Sequence, residues 1–283
     1  MYARAYIEIT TICNRSCSFC PGTTRPLRRM SLSEFDTVTD RLKGVTEYLY
    51  YHVMGEPLTH PDLPDLIRLA KEKGFKSAIT TNGSLLPTRG QALMQAGIYK
   101  VNISVHSFEN GEDAGAHGAY LDGILDFAQN ASEHNVLTVL RLWNLDGHGE
   151  ALGGNNPRIL DYLRDRFPDT VNTPWKFSAR GARIRPKLHL EYGDRFEWPD
   201  MQAEDRGDGV FCYGLKDHFA ILCDGSVVPC CLDREGAVTL GNIFDAPAEA
   251  ILASPRAIAM REGFQRRHAT EELCRKCGYA RRF

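Results

Sequence analysis

Between Tyr2 and about Trp143, short runs of β-branched and aromatic residues alternate with longer stretches whose apolar positions recur every three or four residues. The runs are AYIEIT (Ala5 to Thr10), EYLYYHV (Glu47 to Val53), FKSAITT (Phe75 to Thr81), YKVNISV (Tyr99 to Val105) and VLTVLRLW (Val136 to Trp143). Each suits a pleated, half-buried surface and is read as a strand. Between them, Ser31 followed by Glu34 has the capping-box spacing that opens a helix running to about Lys43. LPDLIRLAKEKG places apolar residues at i, i+3 and i+4 before a closing glycine, and TRGQALMQAG and AYLDGILDFAQNASEHN keep the same period. Strand, helix and strand repeated at this interval predict right-handed crossovers and a parallel sheet, closed or partly closed into a barrel. The βα loops of such folds converge at the C-terminal ends of the strands, where chemistry gathers.

After about Pro174 the pattern changes. KLHLEYGDRFEW predicts a strand leading into a loop, and HFAILCDGSVVPCC predicts a hairpin turning at Asp224 and Gly225. The tail from Phe244 carries a short helical stretch and ends in CRKCGYARRF. GDRFEWPDMQAEDRGDG, Gly193 to Gly209, is rich in turn formers and charge, and sets a soft boundary between domains 1–193 and 194–283.

Composition narrows the function classes. A chain of 283 residues, 43% hydrophobic, can bury one large core or one large domain and a small one. No apolar run approaches the roughly 18 residues of a membrane span, and MYARAYIEITT lacks the apolar core of a signal peptide, so the expected location is the cytoplasm, away from membranes. Nine cysteines without an export signal then point to metal binding or redox chemistry rather than disulfides. A formal net charge of -2 argues against nucleic acid as a partner held by broad phosphate neutralisation. The local basic group Arg180, Arg183, Arg185 and Lys187 is read as solvated surface.

Cys13, Cys17 and Cys20 follow the first predicted strand directly, in a βα loop at the active face. Three thiolates cannot complete the four-ligand set of a structural zinc. A [4Fe-4S] cluster takes four cysteines, so three leave one iron open to a substrate. CxxxCxxC at this place resembles the radical S-adenosylmethionine (SAM) superfamily, and the resemblance implies a partial (β/α)6 TIM-like barrel. It also implies that Cys13, Cys17 and Cys20 hold a [4Fe-4S] cluster whose free iron chelates the amino and carboxylate groups of SAM.

Other segments carry the resemblance along the barrel. HVMGEPL resembles the GGEP motif, with Met54 in place of its first glycine, and implies that Gly55 and Glu56 face the methionyl amino group. Phe19 stands where the family has an aromatic beside the adenine. Asn82 of TTNG and Ser104 of NISVHS end the third and fourth strands, at positions from which relatives contact the ribose and methionine. Arg141, late in the fifth strand, matches a basic residue on the SAM carboxylate, a group its guanidinium fork suits; a pair with a local acid is the alternative. His106 replaces an acid common at its position and is read as a local hydrogen-bonding residue.

Cys212, twelve residues, Gly225, four residues and Cys230 resemble the element that opens the SPASM and twitch domains of these enzymes. With Cys274 and Cys277 they imply four ligands for one fully coordinated auxiliary [4Fe-4S] cluster; an all-thiolate zinc site on the same four is the rival. A full SPASM domain needs cysteines beyond Cys277, so the expectation is a small twitch domain of hairpin plus helix. Cys223 is read as a small strand residue. Cys231 occupies the place where sulfatase-maturing relatives carry an acid that acts as base, which makes it the candidate catalytic residue.

The implied chemistry is reductive cleavage of SAM, with electrons from a donor such as flavodoxin or ferredoxin, to a 5'-deoxyadenosyl radical that abstracts hydrogen from a small-molecule or peptide substrate. An oxidoreductase, or dehydrogenase, using the auxiliary cluster as electron acceptor is the leading expectation. The second is a peptide-modifying enzyme; since the first strand starts almost at Met1, its peptide-binding domain would come from a separate protein. A tRNA-modifying role is weakened by the charge balance. A non-catalytic iron-sulfur redox or binding module would leave the GEP and TNG motifs without use. The loop EDAGAHGAY and the residues Arg183, Arg185, His189 and Glu191 are candidate substrate contacts.

Overall fold

The computed structural model describes residues 1–107, 114–145 and 155–282. In chain order the elements begin with β1 (Arg4–Ile7), α1 (Leu32–Leu42), β2 (Tyr48–Tyr51), α2 (Leu63–Glu72), β3 (Lys76–Thr81), α3 (Leu86–Ala96) and β4 (Lys100–Ser104). They continue with α4 (Ala114–Glu133), β5 (Leu137–Leu145), α5 (Asn156–Arg166), β6 (Lys176–Ser178), β7 (Gly181–Arg185) and β8 (Leu188–Asp194). The last are β9 (His218–Ile221), β10 (Ser226–Val228), β11 (Gly241–Asn242), α6 (Ala248–Leu252), α7 (Pro255–Gln265) and α8 (Glu272–Arg275). Among the described residues no helix is long and apolar enough to cross a membrane.

Residues 1–77 and 196–283 form one compact unit and residues 78–195 a second, so the chain passes from one to the other within β3. In the first unit β1 lies between β2 and β9 and is parallel to both; β9 and β10 make the antiparallel hairpin expected at Asp224 and Gly225, and β11 extends it. In the second, β3, β4, β5 and β8 are successive parallel neighbours, and β7 and β6 add an antiparallel edge. Six strands, β1 to β5 and β8, therefore run parallel to their neighbours within their units, as a partial (β/α)6 TIM-like barrel requires.

Local sequence explains the elements. Ser31 caps α1, with Glu34 reaching back to the Ser31 N–H, and Phe35, Val38, Thr39 and Leu42 form its buried face. In α2 the buried stripe is Leu63, Leu66, Ile67 and Ala70. α3 stops at Gly97, whose φ of 88° is left-handed. Several elements depart from the sequence reading. α5 is a full helix that the charged run PRILDYLRDR hides, since only Ile159 and Leu163 of its apolar stripe are buried. The tail holds three helices rather than one short stretch. β1 stops at Ile7, before the predicted end at Thr10, because the chain beyond it pairs with its own return segment, Met30 N–H donating to Ile9 O at 2.9 Å and Thr10 bridging Arg29.

On one face of the first unit, Tyr6 meets His52, His218 and Tyr50 at 4.9, 5.4 and 5.7 Å between ring centroids. Burial, and then the Arg4 charge, lower the His218 pKa to about 4. The folded chain thus prefers a neutral imidazole, while the unfolded chain protonates near pH 6.5. The stabilisation is present above pH 6.5 and is lost as pH falls toward 4, with an upper bound of about 3 kcal/mol. Urea midpoints measured across that window should fall steeply with acidification, and less steeply in His218→Asn.

Candidate active site and metal centre

The loop after β1 is closed at its neck by threonines. Thr10 Oγ1 donates to Arg28 O at 3.2 Å, Thr11 Oγ1 to Pro26 O at 3.1 Å, and Arg28 N–H to Thr11 Oγ1 at 2.8 Å. Cys13, Cys17 and Cys20 lie on the excursion so formed; Cys13 and Cys20 are exposed, Cys17 is half-buried, and Cys20 N–H donates to Cys17 O at 3.0 Å. Although Cys13 is exposed as a residue, partial desolvation raises its thiol pKa, and the charges of Glu56 and Cys20 add to the shift. A bound cation offsets all three contributions, because it favours the thiolate.

The MGEP segment docks on the start of this loop. Glu56 N–H and Thr59 Oγ1 both donate to Ile12 O, at 2.8 and 3.1 Å. The Glu56 side chain, 2% exposed, accepts Leu58 N–H and caps the short 3-10 turn Pro57–Thr59. Gly55 has a φ of 75°, and a Cβ there would stand 2.3 Å from Thr10 O and 2.9 Å from Thr10 C. Both backbones would have to move. Gly55→Ala is therefore expected to displace the MGEP turn, costing about 2–3 kcal/mol in stability, which urea unfolding measures.

Glu8, fully buried at the end of β1, joins three segments. Its Oε1 accepts Arg25 Nη2 at 2.5 Å and Met54 N–H at 3.2 Å, and its Oε2 accepts Cys223 N–H at 3.0 Å. Arg25 Nε donates to Arg234 O at 2.7 Å, and Arg234 Nε returns to Gly22 O at 3.0 Å. Thr24 donates N–H and Oγ1 to the Glu235 carboxylate at 3.1 and 2.8 Å. Burial opposes the Arg25 charge, but Glu8 outweighs it and the pKa is raised. Sequence reading missed this network; its one local signal is the acid in the middle of the apolar run AYIEIT.

Cys212, Cys230, Cys274 and Cys277 belong to the same unit. Cys230 lies just past β10, Cys274 is in α8, and Cys277 N–H donates to Cys274 O at 3.3 Å. Burial raises the Cys230 thiol far above its ordinary value, and Cys231, Cys212, Cys277 and Cys274 add to it. Cys274 is raised in the same way, by burial and then by Cys212 and Cys277; burial lifts Cys212 to about 11 and also raises Cys277. Four desolvated thiols within reach of one another's charge are a soft donor set that fits an iron-sulfur cluster. Among the described residues no three His, Cys, Asp or Glu side chains gather around one point as the ligands of a single ion would.

Cys223 is fully buried in the core. Cys231 packs against the cluster of Tyr6, Val53, Met54, Ala220, Leu222 and Val228, which brings it beside the MGEP segment. Trp198 packs there too, and its Nε1 donates to Phe19 O at 3.1 Å.

The second unit holds the strand-end residues. Asn82, 8% exposed, accepts Ser84 N–H and Oγ at Oδ1, at 3.0 and 2.7 Å, while its carbonyl accepts Tyr120 OH at 2.6 Å. Ser104 is paired in register with Arg141. The Arg141 guanidinium lies 4.5 Å over the Trp143 ring, with Nε 3.7 Å from Glu191 Oε2. That is an ion pair too long for a hydrogen bond. His106 Nδ1 lies 3.0 Å from Arg141 O and 3.3 Å from Trp143 N, the local role expected of it. Of the loop EDAGAHGAY, Glu112 and Asp113 lie outside the described residues.

Comparison with known proteins places these residues in a family context. The radical SAM superfamily model matches residues 7–151, and the SPASM model, an iron-sulfur cluster-binding domain, matches residues 212–278. The zinc alternative for the second thiol set gives way to that description. GTP 3',8-cyclase of Chlorobaculum tepidum is 35% identical over 107 residues, covering 36% of this chain and 32% of that protein. Fe-coproporphyrin III synthase of Methanosarcina barkeri is 28% identical over 192 residues, covering 65% and 47%. The matching stretch thus spans about a third to a half of these relatives. Among solved structures, BtrN in complex with AdoMet and 2-DOIA aligns at 19% identity with a TM-score of 0.63, covering 98% of this chain and 93% of that one. Streptococcus suis SuiB bound to S-adenosylmethionine aligns at 14% identity with a TM-score of 0.56, covering 98% and 70%. At these identities the likeness is one of fold.

Proposed function

Because the chain belongs to the radical SAM superfamily, we propose that it is an oxidoreductase, acting on a small-molecule or peptide substrate, in which a second iron-sulfur centre takes up the electron left on that substrate. Its domains are residues 1–193, the radical SAM barrel, and 194–283, the auxiliary domain. When bound, SAM and its [4Fe-4S] cluster supply the 5'-deoxyadenosyl radical that removes a hydrogen atom. In this reading Cys13, Cys17 and Cys20 hold the cluster, Gly55 and Glu56 shape the turn that meets the methionyl amino group, and Asn82, Ser104 and Arg141 orient the ribose, methionine and carboxylate. Phe19, anchored through its carbonyl by Trp198, shields the adenine from water. Cys212, Cys230, Cys274 and Cys277 hold the auxiliary cluster. Cys231 Sγ takes the substrate proton, helped by Arg4, whose charge senses that thiol.

The observation that carries the electron-acceptor role is the Glu8–Arg25–Arg234 network, which ties the exit of the N-terminal cysteine loop to the segment just past Cys230. Modification of a peptide is the second reading, favoured by the fold shared with SuiB, which is also known bound to the precursor peptide SuiA. Anaerobic reconstitution followed by iron and sulfide analysis tests the proposal. About eight irons per chain, falling to about four in Cys212→Ala, is the expected result. Four irons in both proteins would remove the electron acceptor.

A further inference from the structure

The tail of the chain, residues 274–282, has almost no core of its own. Beyond Leu273 the only buried apolar side chain among the described residues is Ala280, at 4% exposure. The polar ties of the tail lie at the surface: Arg275 Nε meets Asp205 Oδ2 at 2.8 Å, Lys276 Nζ donates to Met201 O at 2.6 Å, and Arg281 Nη2 donates to Arg206 O at 2.6 Å. Exposed ties of this kind contribute little. Ligation at Cys274 and Cys277 is then the strongest hold the tail can have, because thiolates bound to metal order the segment that carries them.

This tail carries one end of an aromatic stack. Tyr279 meets Phe196 edge to face at 5.1 Å between ring centroids, and Phe196 meets Trp198 at 5.3 Å, both within the range of favourable ring contacts. Arg282 lies 5.3 Å over Phe196 and 5.0 Å over Tyr279. The backbones touch as well. A Cβ on Gly278 would stand 2.8 Å from both Glu197 Cβ and Glu197 O, so the glycine lets residues 277–279 lie directly against 196–198. The backbone N–H groups of Ala280 and Tyr279 hydrogen-bond the Cys277 sulfur, which ties the Tyr279 end of the stack to that thiol.

The other end of the stack reaches the N-terminal cysteine loop. Trp198 Nε1 donates to Phe19 O at 3.1 Å, one residue before Cys20, and its side chain packs against the buried cluster that holds Tyr6, Val53 and Met54. The backbone that carries the Phe19 ring is thus held by the indole. All of these residues lie in the first unit.

We propose that Trp198 is a positioning residue for SAM, and that through it SAM affinity depends on whether the auxiliary cluster is in place. With Cys274 and Cys277 ligated, the tail seats Tyr279 on Phe196 and Trp198 on the Phe19 carbonyl, so the Phe19 ring is set for the adenine in advance. Without that ligation the tail loosens, and SAM meets a site whose competent form is only partly populated, which weakens binding by that fraction. The proposal rests on the radical SAM reading, and gives the auxiliary cluster a duty beyond taking up an electron.

Calorimetric titration of SAM into the anaerobically reconstituted full chain reads the effect. Cys212→Ala, which removes the auxiliary centre and lies outside the stack, should weaken SAM binding about fivefold or more. Trp198→Phe, which keeps a ring in the stack but loses the donor to Phe19 O, should weaken it by about the same factor. The two combined should weaken it no more than about twice as much as either alone, because both cut one path, whereas independent losses would multiply to about 25-fold. Tyr279→Leu, with about eight irons retained, should weaken it about threefold or more, and decides the matter if Cys212→Ala does not fold. Phe177→Leu, at an exposed aromatic of the second unit, should leave the affinity unchanged. An affinity unmoved by any one of the first three substitutions, multiplied losses in the combined variant, or an equal loss in Phe177→Leu overturns the proposal. Iron analysis and SAM cleavage by the unaltered protein separate the two failures. About four irons or no cleavage condemns the reading on which the proposal rests, whereas about eight irons and active cleavage with an unshifted affinity in the variants condemn only the assignment of Trp198.

Discussion

Cys17→Ala is expected to lose about half of the bound iron and to lower SAM cleavage by at least about a thousandfold, with little change in thermal stability. The loop carrying Cys17 is pinned at its neck by Thr10, Thr11 and Arg28, and the Cys17 carbonyl accepts Cys20 N–H, a backbone contact that alanine preserves. The contacts that hold the loop's neck do not involve the sulfur. A cluster already held by three thiolates has no spare protein ligand, so losing one removes the centre rather than weakening it. Iron analysis, a melting curve and chromatography of 5'-deoxyadenosine together separate this outcome from unfolding.

Arg25→Met is expected to act in the opposite way, through stability. Glu8 has 0% side-chain exposure and Arg25 only 14%. Removing the guanidinium leaves a buried carboxylate with only the Met54 and Cys223 N–H groups for partners. Breaking one side of such a pair costs about 3–5 kcal/mol, a large share of the 5–15 kcal/mol that typically holds a protein folded. The double variant Glu8→Gln, Arg25→Met should recover at least about 2 kcal/mol of that loss, because the uncompensated charge is gone. Urea unfolding of the two single variants and the double variant measures the coupling. Additive losses would show that the pair acts independently, contrary to the geometry.

The features legible in the sequence are those specified by neighbours. CxxxCxxC, the capping box at Ser31 and Glu34, and the Asp224–Gly225 turn are short patterns, and the structure places them as read. Five of the six parallel strands followed from alternating runs whose period is local, and β8 from the strand read in KLHLEYGDRFEW after the pattern changes. The features missed depend on residues far apart in the chain. Glu8 meets Arg25, Met54 and Cys223, which are 17, 46 and 215 positions away, and no spacing rule links them. The antiparallel edge of β8, β7 and β6 needs the register of three strands, and Arg185 parts from Arg183 through a bulge. α5 escaped because charged residues outnumber its apolar stripe, so that tertiary burial of Ile159 and Leu163 decides its form rather than periodicity.

The central claim is that the N-terminal thiol trio leaves one iron for the amino acid end of SAM. Electron-nuclear double resonance on anaerobic, dithionite-reduced protein tests it most directly, with SAM carrying nitrogen-15 at its amino group and oxygen-17 in its carboxylate. The account predicts a hyperfine coupling from both labels that disappears in Cys17→Ala. A spectrum unchanged by SAM, with a reduced cluster present at full occupancy, would contradict it.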